Sequence, residues 1–84
     1  MGKYEKLILK ILSGQSDTNI PFDDLCTLLQ GIGFVMRIRG SHHVFRKDGI
    51  EEKINLQREG NKAKPYQVRQ VRYVILKYQL GGKL

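Results

Sequence analysis

Apolar positions recur at helical spacing near the start of the chain. Tyr4, Leu7, Ile8, Ile11 and Leu12 fall on one face of a helix over residues 3–12. Residues 13–19 are polar and include Gly14, which predicts a loop. A second helix is expected to begin near Pro21, a residue favoured in the first helical turn. Asp23 and Asp24 suit the positive end of its dipole. Phe22, Leu25, Cys26, Leu28, Leu29 and Ile32 form its apolar stripe, and Gly31 or Gly33 ends it. The period then changes. Phe34, Met36 and Ile38 alternate with Val35, Arg37 and Arg39, which predicts a half-buried strand with its arginines exposed. Gly40-Ser41 breaks this strand, and a second runs from about His43 to Lys47. Asp48-Gly49 fits a tight two-residue hairpin turn. In a third strand, over about 50–57, Glu52, Ile54 and Leu56 alternate with Lys53, Asn55 and Gln57. Residues 58–64 read as a polar loop. A last helix starts at Pro65, carries Val68, Val71, Val74, Ile75 and Tyr78 on one stripe, and stops at Gly81-Gly82.

This order predicts an α+β fold in which helices cover one face of a three-stranded antiparallel sheet. The other sheet face is left open and carries Arg37, Arg39, Lys53 and Asn55. A chain of 84 residues supports a single domain with a small core. Within it, residues 1–19 form an N-terminal helix and loop, 20–80 the main body and 81–84 a tail. The one cysteine, Cys26, allows no internal disulfide, and its place on the second helix's stripe suits a small core residue. No apolar run reaches the length of a membrane span, and no secretory leader is visible. The expected location is the cytoplasm.

Charge alters the picture more than composition does. The net charge is +7, unevenly spread: residues 1–33 carry −1, 34–57 carry +2 and 58–84 carry +6. Such a gradient points to a polyanion, with nucleic acid favoured over an anionic membrane.

The chemistry concentrates at residues 37–47. Both histidines, His42 and His43, follow Gly40-Ser41, and Arg37, Arg39 and Arg46 bracket them. Imidazole can move a proton near neutral pH, and guanidinium grips phosphate oxygens while staying charged. Adjacent strand residues face opposite ways, so the two rings enter one site only if the backbone bends between them. Parity does not decide which is exposed, because Val44 and Phe45 are both apolar. Two neighbouring histidines with no carboxylate before Asp48 do not make zinc spacing. A triad is equally poor, with only Ser41 and a distant Cys26 as nucleophiles. RNA cleavage needs less, because the substrate's 2′-hydroxyl is the nucleophile. One imidazole plus Arg37, Arg39 or Lys64 would serve. Spacing alone slightly favours a histidine that caps a strand end or binds phosphate without chemistry.

The runs Leu28-Leu29, Gly33-Phe34, Arg37, Gly40-Ser41-His42-His43-Val44-Phe45 and Asp48-Gly49, with the basic final helix over 67–77, resemble the HicA family. These are toxin ribonucleases, or mRNA interferases, of bacterial type II toxin–antitoxin systems. The resemblance covers roughly residues 21–80. It implies a fold similar to a double-stranded-RNA-binding domain, α-β-β-β-α, here with an additional N-terminal helix. It implies metal-independent endonucleolytic cleavage of mRNA with no cofactor, and silencing by a HicB-type antitoxin that covers the histidine. The family's catalytic histidine follows Gly-Ser, which falls on His42. The candidate RNA contacts are Arg37, Arg39, Gly40, Ser41, His43, Arg46, Lys62, Lys64 and Arg69. The alternative is a non-catalytic RNA-binding module of the same fold, with Lys62, Lys64 and Arg69 near the phosphates at the last helix's N-terminus. Free edges of a three-stranded sheet would also let a partner add a strand.

Overall fold

The computed structural model describes residues 2–82, without the side chain at position 3. The expected tail over 81–84 therefore leaves the described residues at positions 83 and 84. Helix α1 spans Lys3–Ser13 and ends at Gly14. Leu7, Ile8 and Ile11 are buried while Tyr4 and Leu12 pack partly buried beside them. The helix lies against the last helix of the chain. Helix α2 spans Phe22–Ile32 and buries the expected stripe: Phe22, Leu25, Cys26, Leu28, Leu29 and Ile32. Gly33 closes it at φ 119°, and its N–H reaches the Leu29 and Gln30 carbonyls. A residue with a Cβ would be strained in that conformation.

Three antiparallel strands follow: β1 (Val35–Arg39), β2 (His42–Arg46) and β3 (Ile54–Leu56), in the order β1-β2-β3. Gly40 has φ 58°, and Ser41 has no positive φ. That is the sense of a type II′ turn, whose first central residue favours glycine. The tight two-residue hairpin therefore sits at Gly40-Ser41. The Asp48-Gly49 pair, expected to make it, lies instead in a turn closed by Ile50 N–H to the Lys47 carbonyl at 3.0 Å, within the longer β2–β3 loop.

Strand β3 is also shorter than the alternation suggests, because α3 competes for residues 51–53. The Tyr78 hydroxyl accepts from Glu51 N–H at 3.3 Å and donates to Glu52 Oε1 at 2.6 Å. Lys77 Nζ binds Glu52 Oε2 at 2.8 Å, and Gln70 Nε2 donates to the Lys53 carbonyl at 3.2 Å. The expected polar loop over 58–64 is a second small hairpin, β4 (Arg58–Glu59) and β5 (Lys62–Ala63). Gly60 turns it at φ 64°. Its outer strand takes up otherwise free backbone groups before α2: Ala63 N–H donates to the Ile20 carbonyl at 2.9 Å, and Phe22 N–H to the Asn61 carbonyl at 3.0 Å.

Helix α3 spans Pro65–Lys77 and buries Gln67, Val68, Val71, Val74 and Ile75. It stops before Gly81-Gly82. Gln79 adopts φ 54°, and a 3-10 turn over Leu80–Gly82 returns Leu80 to the core at 3% exposure. The result is an α+β fold of three helices and a small antiparallel sheet. No described helix is long and apolar enough to cross a membrane.

Candidate functional site

Cross-strand register assigns each sheet residue to a face, because directly opposed residues share one. Met36, Phe45 and Ile54 form one row, and Ile38, His43 and Leu56 a second. Phe45, Ile54 and Leu56 are fully buried, so this is the helix side. The intervening rows make the open face: Val35 with Arg46, Arg37 with Val44 and Asn55, and Arg39 with His42.

The two histidines are thereby separated. His43 turns to the helix side, where its ring meets Phe22 edge-on at a centroid distance of 4.9 Å. Its Nδ1 is buried with no hydrogen-bond partner. His42 is exposed on the open face, and its Nδ1 lies 3.1 Å from Asn55 Oδ1. An amide oxygen can only accept, so Nδ1 carries the hydrogen and Nε2 is left able to take up a proton. Asn55 thus fixes the tautomer and the ring's orientation together.

A short polar network extends the site beyond His42. Ser41 Oγ accepts from Gln57 Nε2 at 3.1 Å, and Gln57 Oε1 accepts from Lys64 Nζ at 3.3 Å. The backbone N–H of Gln57 donates to the Oε1 of buried Gln67 at 2.9 Å, and Gln67 Nε2 donates to the Tyr66 hydroxyl at 3.4 Å. The glycine-serine turn, the end of β3 and the first turn of α3 are thus tied to one another. Among the expected contacts, Ser41 and Lys64 belong to this cluster, which adjoins His42 through the Ser41–His42 step of the chain.

Arg37, Arg39 and Arg46 line an open groove of about 1010 Å³ that runs along the sheet past Val35 and Val44 to Lys47 and Lys53. Asp48 and Glu51 line it as well. Arg39, opposite His42, joins the groove to the imidazole. None of the three arginines forms an ion pair with a carboxylate among the described residues.

The cations of the C-terminal third behave differently. Arg58 pairs with Asp23, Arg72 with Asp17 and Lys77 with Glu52. Lys62 is held by Asn19, away from the network that holds Lys64. Arg69 is exposed, one turn into α3. The excess of positive charge at the end of the chain is therefore partly consumed inside the fold, whereas the sheet arginines are free to meet an anion.

Burial, reinforced by Asp23 and opposed by Arg58, pushes the Cys26 thiol up to about 11, so at neutral pH it is a packed thiol and not a nucleophile. No group of three or more His, Cys, Asp or Glu that could hold a metal occurs among the described residues. Two members of the network escape a reading by charge and motif: Gln57 and Gln67. Gln67 lies four residues before Val71, on the same helical stripe, and that position was the available signal of a buried amide. No protein-family model matches this chain, nor does any curated protein or solved structure.

Proposed function

We propose that this protein is a metal-independent endoribonuclease of the HicA type, with His42 as its general acid–base. The observation that carries the reading is the exposed His42 imidazole, held through Nδ1 by Asn55 and set opposite Arg39 on an unpaired arginine face. The order α2-β1-β2-β3-α3, with the β4–β5 hairpin between β3 and α3, is compatible with a double-stranded-RNA-binding-domain-like core to which α1 is added.

In this reaction the neutral Nε2 of His42 takes the proton from a ribose 2′-hydroxyl. The 2′-oxygen attacks the adjacent phosphorus, and the bond from phosphorus to the 5′-oxygen breaks. The imidazolium then returns its proton to the leaving 5′-oxygen. One RNA fragment ends in a 2′,3′-cyclic phosphate and the other begins with a 5′-hydroxyl. Arg39 and Arg37 offset the negative charge that builds on the phosphoryl oxygens. The substrate is mRNA and the silencing partner a HicB-type antitoxin.

The test incubates the purified protein with a labelled RNA in the presence of a chelator. Fragments with cyclic-phosphate ends are expected from the wild type and not from His42→Ala. Equal cleavage by the two proteins would sink the reading. The alternative, a non-catalytic RNA-binding module, draws on Lys64 at the start of α3 beside Ser41 and Gln57. It predicts salt-sensitive RNA binding that survives His42→Ala, and no fragments from either protein.

A further inference from the structure

We infer that the outer edge of β1 is a docking site for an extended acidic segment of a partner protein, which joins the sheet as an added strand. The inference stands whether or not His42 turns over RNA. Strand β1 is terminal in the sheet order, and its outer edge has no backbone partner among the described residues. Exposed edges are usually made very short, broken by proline or a bulge, or covered. β1 has five residues and no proline, and it exposes Val35 by 65% and Ile38 by 60%. Ile38 points to the helix side, yet no helix covers it.

Hairpin geometry determines which backbone groups are on offer. A two-residue turn makes Arg39 and His42 a hydrogen-bonded pair. By alternation Val35, Arg37 and Arg39 direct their N–H and C=O groups to β2, and Met36 and Ile38 direct theirs outward. An incoming strand bonds to Met36 and Ile38.

The side chains beside that strand define its chemistry. On the open face its neighbours are Val35, Arg37 and Arg39, with Arg46 behind Val35, and none of the three arginines has a carboxylate partner among the described residues. On the helix side its neighbours are Met36 and Ile38. The fitting occupant alternates acidic with apolar residues, its carboxylates on the arginine face. A second copy of this chain is the poorer occupant. The antiparallel self-pairing that uses the whole strand is centred on Arg37 and sets that arginine against its own copy. RNA can occupy the arginines but offers no peptide groups to Met36 and Ile38. A seated acidic strand lies two strand spacings from His42, roughly 9.5 Å. It therefore removes the phosphate-binding cations from RNA without touching the imidazole.

The experiment titrates the full-length protein with a seven-residue synthetic peptide alternating valine and glutamate, followed by amide NMR and hydrogen exchange. Saturable binding and slowed exchange at the Met36 and Ile38 amides are expected. A peptide of the same composition with its glutamates in one block should bind at least about tenfold more weakly, because half its side chains then fall on the wrong face. The double charge reversal Arg37→Glu with Arg39→Glu should weaken binding by a similar factor or more. Ile38→Pro should abolish binding while keeping the ladder to β2, since it removes only an outward donor. If that variant does not fold, exchange in the unaltered protein decides. Equal binding of the blocked peptide overturns the proposal, as does protection elsewhere than Met36 and Ile38. Protection of those amides by an RNA oligonucleotide, or by self-association in the free protein at rising concentration, overturns it too.

Discussion

The two faces of one three-stranded sheet are built to opposite specifications, and the consecutive histidines show it most sharply. On the helix side Phe45, Ile54 and Leu56 are fully buried, and His43 is set edge-on against Phe22 with an unpartnered Nδ1. On the open face, one residue away, His42 is exposed, bonded to Asn55 and opposite an arginine. The strand's period of two accomplishes this separation without a bend in the backbone. The cations divide in the same way. Arg72, Lys77 and Arg58 are matched to carboxylates from distant parts of the chain, so they contribute to holding the helical layer together. Arg37, Arg39 and Arg46 have no such match among the described residues and remain available to a ligand. A count of positive charge along the sequence points to the C-terminal third. Among the described residues, a cluster of three arginines with no carboxylate partner lies on the open sheet face.

The sharpest way to break this comparison is to damage each face and ask whether the other notices. Phe45→Ala opens a cavity in a fully buried position. A loss of about 3–5 kcal/mol is expected in urea denaturation, a large part of the stability of a domain this size. His42→Ala acts on the other face. Cleavage should fall by about 10²- to 10⁴-fold while the thermal midpoint stays put, and a parallel loss of stability would show that the faces are not independent. Arg72→Ala removes the bidentate grip on Asp17, at 2.8 and 3.2 Å, and the bond to the Ile11 carbonyl. A cost of about 1–3 kcal/mol is expected, with RNA binding unchanged, measured by denaturation and filter binding.

Smaller effects sharpen the picture. His43→Leu replaces a ring with an unsatisfied nitrogen by an apolar side chain, so stability should hold or rise by up to about 1 kcal/mol. Cleavage should persist, and its loss would assign His43 a part in the chemistry. The least change comes from Glu52. Hydrogen bonds from Lys77 and Tyr78 hold its carboxylate below the usual range. Its contribution to stability is therefore present at neutral pH and lost as the pH falls through that lowered value. Glu52→Gln should lower stability slightly at neutral pH, and its stability–pH profile should converge with that of the wild type as the pH falls, which flattens the acid limb.

The helices were largely legible because their signals are local and redundant. The α2 stripe, Pro21 at its start and Gly33 at its end all point to the same boundaries, and the buried set agrees residue for residue. The open face was half legible. Alternation puts Arg37, Arg39 and Asn55 on one side, but the doublet Val44-Phe45 left the side of each histidine open until the register to Leu56 and Asn55 resolved it. What escaped the sequence was decided by long-range competition. Residues 51–53 have strand parity, yet Tyr78, Lys77 and Gln70 claim their polar groups from the far end of the chain. The β4–β5 hairpin has too few apolar residues to announce itself, and it closes by pairing with Ile20 and Pro21 some forty positions earlier. Gln57 is inconspicuous by type, and becomes central only because Ser41, Lys64 and Gln67 converge on it.

The docking of α1 against α3 joins the first element of the chain to the last helix. During synthesis the apolar stripe of α1 leaves the ribosome long before its partner exists, and so do the inward faces of β2 and β3. The same late helix, with the residue before it, brings Lys64 and Gln67 to the network beside His42. Domains acquire their tertiary contacts as units once the required segments are present. A nascent chain that has displayed His42 and Asn55 but not yet α3 therefore lacks the Lys64 and Gln67 links to Gln57 beside them, so assembly of the whole site waits on completion of the fold.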